Sequence, residues 1–338
     1  MIVEMRKGAT KKEIDAVTAR AKNLGLGIQM NQGTDKTVVA ILGSNTGQLQ
    51  TDVFAVLPGV ESVTRIMKPY KLVSREFQAK NAIVNVNGIE IGGKRLVVMA
   101  GPCAVENQGQ LAKSAEIVKA AGAVILRGGA FKPRTSPFSF QGLKKEGLEL
   151  LDRVRKQYGM PVITEVTDSN DVGLISSYCD ILQVGSRNMQ NYVLLSAVGQ
   201  MKCPVVLKRG FSCTVTEWLT AADYILAEGN KNVILCERGI RTFEDSTRFS
   251  LDVSSIPVIK RASYLPVIVD PSHAAGHYQL VPSLAKAAVA AGADGLLIEV
   301  HPNPKEALVD GLQSLSPSDF TRLMRELKPI AEAVGRTF

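Results

Sequence analysis

The chain has 338 residues, 45% apolar and 21% charged, and its 40 Lys and Arg against 32 Asp and Glu give a formal net charge of +8. This composition is that of a globular protein and excludes disordered, collagenous and coiled-coil classes; no uncharged apolar run approaches ~18 residues, so a membrane span is excluded too. The length suits roughly two domains, or one large barrel with an added piece. The start, MIVEMRKGATKKE, is charged from Glu4 onward and lacks an apolar signal region, which argues against secretion. Five scattered cysteines (103, 179, 203, 213 and 236) without a CxxC pair fit a reducing, cytoplasmic setting. The charge is not evenly spread: residues 1–80 carry 12 basic and 7 acidic residues, a net +5, and residues 81–338 carry 28 and 25, a net +3. No basic stripe with interleaved aromatics occurs, and nucleic acid is not the expected partner.

Residues 1–68 read as a small α+β unit. Met1–Arg6 alternates as a strand, and Thr10 caps a helix with Glu13 at the capping-box position and Gly25 near its stop. Strands follow at Gly27–Met30 and Thr37–Leu42, with the turn residues NQGTD between them. A weaker helix covers Gln48–Leu57, Pro58-Gly59 ends it, and Val60–Met67 is a last strand. The order βαββαβ is the ferredoxin-like arrangement. It shows no nucleophile, and a regulatory role suits it better than a catalytic one. Residues 69–80 are charged and unpatterned and read as a linker to a domain spanning 81–338.

That domain opens with a hairpin over 82–92, marked by Asn87-Gly88 between alternating apolar residues. Eight short apolar runs then alternate with amphipathic helices: RLVVMAG (95–101), AVILRGG (123–129), PVITEV (161–166), DILQVGS (180–186), PVVLKRG (204–210), NVILCERG (232–239), PVIVDPSH (266–273) and GLLIEV (295–300). Runs of this kind suit strands buried on both faces, and eight strand–helix units in about 250 residues make a (β/α)8 TIM barrel. A doubly wound sheet fits less well, because no GxGxxG follows the early strands.

Chemistry in such a barrel collects at the C-terminal strand ends. Those ends carry Cys103, Arg127, Glu165, Arg187, Lys208 with Arg209, Glu237 with Arg238, Asp270 with His273, and Glu299 with His301. The cations Arg127, Lys132, Arg134, Arg187, Lys208 and Arg238 outnumber what one phosphate requires, so two anionic ligands, or one with several anionic groups, are expected. Lys132, Arg134, Thr135 and Ser136 form a phosphate-type cluster in one loop. Cys103, His273, Glu299 and Asp310 offer a thiolate, an imidazole and two carboxylates, a set suited to one borderline divalent ion. The remaining four cysteines read as packing residues.

The motifs AGPCAVE (100–106), LRGGAFKPRTSPFSFQG (126–142), QVGSRNMQN (183–191), VLKRG (206–210), ILCERGIRTFE (234–244), VDPSHAAG (269–276) and IEVHPNPKEALVDGLQSL (298–315) together resemble 3-deoxy-7-phosphoheptulonate (DAHP) synthases. The likeness is to the short microbial class with an N-terminal ferredoxin-like extension, and it covers essentially the whole chain. It implies a cytoplasmic enzyme that condenses phosphoenolpyruvate with erythrose 4-phosphate and releases phosphate, at the first step of the shikimate pathway. It also implies metal ligation by Cys103, His273, Glu299 and Asp310, with Mn, Fe, Co, Zn or Cd as the ion. Arg127, Lys132, Ser186, Arg187, Lys208 and Arg238 match the phosphoenolpyruvate site, although Ser186 stands where the family more often has Ala. Pro133, Arg134, Thr135 and Asp310 match the erythrose 4-phosphate site. Lys132 and His301 are the candidates for proton transfer. A homotetramer and feedback by Tyr or Phe follow from the same likeness. Two other enzymatic readings compete: 3-deoxy-octulosonate 8-phosphate synthase chemistry on a five-carbon aldose phosphate, and a Schiff-base aldolase using Lys208. An amino-acid sensor module is the non-enzymatic one.

Overall fold

Short β-branched runs between capped helices build both parts of the chain in a computed structural model, which describes residues 1–338 apart from 34, 35, 44, 45, 47, 48, 66, 67 and 135. Two compact units result: Met1–Asn81 with Ala262–Tyr264, and Ala82–Arg261 with Leu265–Phe338.

In the first unit, β1 (Ile2–Met5), β2 (Gly27–Gln32), β3 (Thr37–Leu42) and β4 (Val60–Thr64) form an antiparallel sheet in the order β2-β3-β1-β4. Helix α1 (Lys11–Asn23) starts at a complete capping box, in which the Thr10 side chain accepts from the Glu13 amide and Glu13 accepts from the Thr10 amide. Val17 and Ala21 of α1 pack with Val3, Met5, Val39, Ile41 and Phe54. The second helix is shorter than expected. Among the described residues only Asp52–Ala55 (α2) is α-helical there, because Thr51 is itself αR and gives no side-chain cap. The expected strand Val60–Met67 ends at Thr64; Gln48, Ile66, Met67 and the Thr34-Asp35 part of the predicted turn lie outside the described residues. The segment expected as a linker is not bare chain: Tyr70, Leu72, Val73 and Phe77 are buried, apolar side chains that its charges and lack of period conceal in the sequence.

The second unit opens with the hairpin of β5 (Val84–Val86) and β6 (Ile89–Ile91), whose turn residues Asn87 and Gly88 take φ of 50° and 89°, as a type I′ turn demands. Eight parallel strands then close into a barrel: β7 (Val97–Gly101), β8 (Ile125–Arg127), β9 (Val162–Val166), β10 (Ile181–Val184), β11 (Val205–Lys208), β12 (Val233–Glu237), β13 (Val267–Val269) and β14 (Gly295–Glu299). Closure comes from β14 against β7, with Glu299 opposite Gly101. Val97, Ile125, Ile163, Ile181, Val206, Ile234, Ile268 and Leu297 fill the interior near the strand starts, and Val84, Val86 and Ile91 of the hairpin join that cluster. The apolar floor leaves the opposite mouth for polar chemistry. No helix among the described residues is long and apolar enough to cross a membrane.

Candidate active site

Strand ends and the turns after them bring the expected ligands together. One ligand atom each from Cys103, His273, Glu299 and Asp310 lies within 4.8 Å of the others, in a group that is buried or nearly so. Glu299 closes β14. Asp270, which follows β13, caps the short helix Pro271–Ala275 by accepting from the His273 amide at 3.0 Å, so the sequence Asp-Pro-Ser-His itself turns the imidazole inward. His273 Nδ1 lies 2.7 Å from Asp270 Oδ2, and Nε2 faces Glu299 at 3.4 Å and Asp310 at 3.9 Å. A carboxylate behind the distal ring nitrogen is the usual way to orient a metal-binding histidine. Asp310 holds a left-handed conformation (φ 54°, ψ 32°) that a non-glycine residue adopts only where its surroundings impose it. Its Oδ2 accepts from the Cys103 thiol at 3.3 Å. Gly129 lets the loop after β8 reach this point, since a Cβ there would fall 2.9 Å from the Cys103 carbonyl and 2.7 Å from Lys132 Cδ.

The electrostatics favour a cation among these donors. Burial alone would raise the Glu299 carboxyl, but His273 and Arg127 beside it hold it at about 2. Burial keeps His273 below its ordinary range and so neutral at pH 7, against the pull of Asp270 and Glu299. The Cys103 thiol is pushed well up, first by burial and then by Glu299. A soft sulfur, a neutral imidazole and two carboxylates at this spacing fit one borderline divalent ion.

Above the cluster lies a cavity of about 310 Å³. Of the expected substrate residues, Arg127, Lys132, Pro133, Arg134, Ser186, Arg187, Lys208 and Arg238 all line it, with His273 and Asp310; Thr135 lies outside the described residues. Arg127 Nη1 contacts Glu299 at 2.6 Å, and Lys208 Nζ contacts Asp270 at 2.5 Å. Lys132 Nζ stands 3.1 Å from the Cys103 sulfur.

Two strand-end residues go elsewhere. Arg209 points away from its neighbour Lys208 and pairs with Glu237 at 2.9 Å and Asp252 at 2.7 Å. His301, expected as a proton-transfer group, does not line the cavity; its Nε2 faces Glu106 at 3.4 Å and its Nδ1 accepts from the Asn303 amide at 3.1 Å. Val300 still bonds to Gly101 of β7, but the His301 amide donates to the Leu315 carbonyl at 3.1 Å, and its ring faces Glu106 in the loop after β7.

Glu165, expected at a strand end, lines the cavity from β9. Residues outside that expectation join it: Gln183 from β10, and Arg241, Arg248, Phe211 and Phe249 from loops. Gln313 donates to Glu299 at 2.6 Å and accepts from Arg248 at 2.8 Å, which fixes the carboxylate from behind. A charged loop following a barrel strand, as in ERGIRTFEDSTR, was the available signal for Arg241 and Arg248.

The chain also resembles known proteins along its whole length. The DAHP synthetase I family matches residues 76–335, and the DAHP synthase ferredoxin-like domain matches residues 1–68. A phospho-2-dehydro-3-deoxyheptonate aldolase of Thermotoga maritima is 46% identical over 335 residues, 99% of each chain. A 2-dehydro-3-deoxyphosphooctonate aldolase of Geobacter sulfurreducens is 32% identical over 266 residues, covering 73% of this chain and 97% of that one. The crystal structure of the Thermotoga maritima enzyme superposes with a TM-score of 0.79 at 45% identity, over 99% of this chain and 98% of that one. A truncated form of 3-deoxy-D-arabino-heptulosonate 7-phosphate synthase from the same organism gives 0.75 at 43% identity, over 80% and 99%.

Proposed function

The chain belongs to the DAHP synthetase I family, and from that premise we infer how its barrel mouth carries out the family's reaction. That reaction joins phosphoenolpyruvate, erythrose 4-phosphate and water into 3-deoxy-D-arabino-heptulosonate 7-phosphate and phosphate, and the enzyme is metal-dependent. The observation that carries the assignment of parts is the four-donor cluster at the base of a cation-lined cavity.

Cys103, His273, Glu299 and Asp310 would hold one divalent ion, which supplies Lewis-acid polarisation of the aldehyde carbonyl. Arg127, Arg187, Lys208 and Arg238, with the backbone at Ser186, seat phosphoenolpyruvate. Pro133, Arg134 and Thr135 seat erythrose 4-phosphate, with Asp310 at the border of the two sites. The guanidinium forks fix both anions so that C3 of phosphoenolpyruvate faces the aldehyde carbon. As that carbon–carbon bond forms, Lys132 Nζ donates a proton to the former aldehyde oxygen. Burial alone would lower this amine, but Cys103, Glu165 and Glu299 hold it above the ordinary lysine range, so the proton is there to give. Water adds to C2, and Glu165, on the cavity wall, accepts its proton. The hemiketal phosphate then breaks its C2–O bond to phosphate while the C2 hydroxyl becomes the ketone; its proton returns to the Lys132 amine, and phosphate leaves.

The Schiff-base alternative is disfavoured by Lys208 itself, which is buried against Asp270 as an ion pair and presents no free amine. Relatives acting on octulosonate phosphate match less of the chain at lower identity. Feedback by Tyr or Phe through residues 1–68 and assembly as a homotetramer remain parts of the proposal; removal of residues 1–68 should abolish inhibition while turnover persists, and light scattering reads the assembly. The direct test is phosphate release from phosphoenolpyruvate with erythrose 4-phosphate or arabinose 5-phosphate, with and without EDTA. Release with the four-carbon aldose alone, lost to EDTA and restored by a divalent ion, supports the reading; release with the five-carbon aldose refutes it.

A further inference from the structure

The cations of the mouth are held in two different ways. Arg127 and Lys208 each have a carboxylate partner, Glu299 and Asp270. Among the described residues Arg187, Arg238 and Arg241 have none within ion-pair distance and lie instead against two aromatic rings. Phe211 and Phe249 stack with centroids 4.9 Å apart and planes 11° from parallel. Arg238 Cζ stands 4.0 Å from the Phe249 centroid and 4.9 Å from that of Phe211. Arg187 and Arg241 stand 5.4 and 5.9 Å from Phe211. All five side chains line the cavity. Arg238 is buried; among the described residues its Nη2 reaches only the His273 carbonyl, at 3.5 Å, and its Nη1 has no partner. Burial draws this guanidinium down to about 10.

The rings are fixed through the backbone. Phe249 donates its amide to the Ala274 carbonyl at 2.9 Å, and Ile240 and Ser250 pair beside it. The Phe211 carbonyl accepts from the Arg241 amide at 2.6 Å. Gly239 has φ +88°, and a Cβ there would come 2.7 Å from Phe249 Cβ, so only glycine lets that ring come so close.

A carboxylate partner neutralises a guanidinium and occupies its in-plane N–H groups. An aromatic face attracts the same cation from above through its quadrupole and leaves the in-plane donors free. An arginine held this way keeps both its charge and its fork for an incoming anion. We propose that Phe211 and Phe249 are positioning residues that hold Arg238, with Arg187 beside it, as an unneutralised anion subsite for phosphoenolpyruvate. The proposal rests on the substrate reading above.

The test uses the full chain and calorimetric titration with phosphoenolpyruvate, followed by steady-state kinetics. Phe249→Leu keeps bulk and removes the ring; Phe249→Tyr keeps the ring; Phe211→Leu is the second probe. Each Leu variant should weaken phosphoenolpyruvate binding by roughly threefold to thirtyfold. KM for phosphoenolpyruvate should rise in step, with KM for erythrose 4-phosphate and kcat within about twofold. Phe249→Tyr should bind as the wild type does. Wild-type affinity in both Leu variants, or an equal loss in Phe249→Tyr, overturns the aromatic role alone. A wild-type protein that binds no phosphoenolpyruvate overturns the substrate reading and this proposal with it.

Discussion

Binding of a divalent ion should release one proton, and that proton should come from Cys103. The imidazole of His273 is neutral at pH 7 because burial lowers it, and the Glu299 carboxyl, held at about 2, is already ionised. The thiol is different: burial raises it, and it donates to Asp310 in the metal-free protein. A thiolate is the ligand, so the ion must displace that proton. The sign follows: as long as pH stays below the raised thiol value, apparent affinity climbs with pH. From about pH 6.5 to about pH 8.5 it should rise roughly 100-fold, tenfold and about 1.4 kcal/mol per unit. Competition against a chelator of known affinity measures the slope, and calorimetry in two buffers of different ionisation heat counts the protons. Cys103→Ala should bind more weakly and with a flat profile. A flat profile in the wild type would mean a preformed thiolate; a release of two protons would mean a charged His273. Either result refutes the reasoning.

Other outcomes follow from the same contacts. Lys132→Met should lower kcat by roughly 10²–10⁴-fold if its ammonium delivers the proton, whereas His301→Asn should stay within about tenfold of wild type because the ring faces Glu106; parallel rate assays compare them. Arg127→Met leaves Glu299 buried with one cation fewer and should cost about 3 kcal/mol of stability in the metal-free protein, read from urea unfolding. Gly239→Ala should cost about 1–3 kcal/mol by the same measurement and weaken phosphoenolpyruvate binding, because its φ of +88° and the nearby Phe249 both exclude a Cβ. Phe54→Ala should open the core of the first unit at about 3–5 kcal/mol, measured on the full chain by differential scanning calorimetry.

Much of the site is legible in one dimension because a parallel barrel converts chain order into position. Every strand runs the same way, so the residues that end apolar runs must meet at one mouth, and Cys103, Arg127, Lys208, His273 and Glu299 are found there. Local chemistry was equally readable: the Thr10–Glu13 capping box and the Asn87-Gly88 turn each act within four residues. Tertiary structure decided what depends on a turn of the backbone or a meeting of loops. Lys208 and Arg209 are adjacent and equally charged, yet successive side chains on a strand face opposite ways, so one enters the cavity and the other pairs with Glu237 and Asp252. His301 sits two residues past Glu299 but beyond the strand, where the chain has turned toward Glu106. Arg248, Phe249 and Phe211 come from loops with no period to read, and only closure of the barrel sets them around Arg238 and Asp310. Spacing along the chain specifies which residues a strand can present; contacts between distant segments specify which way the others face.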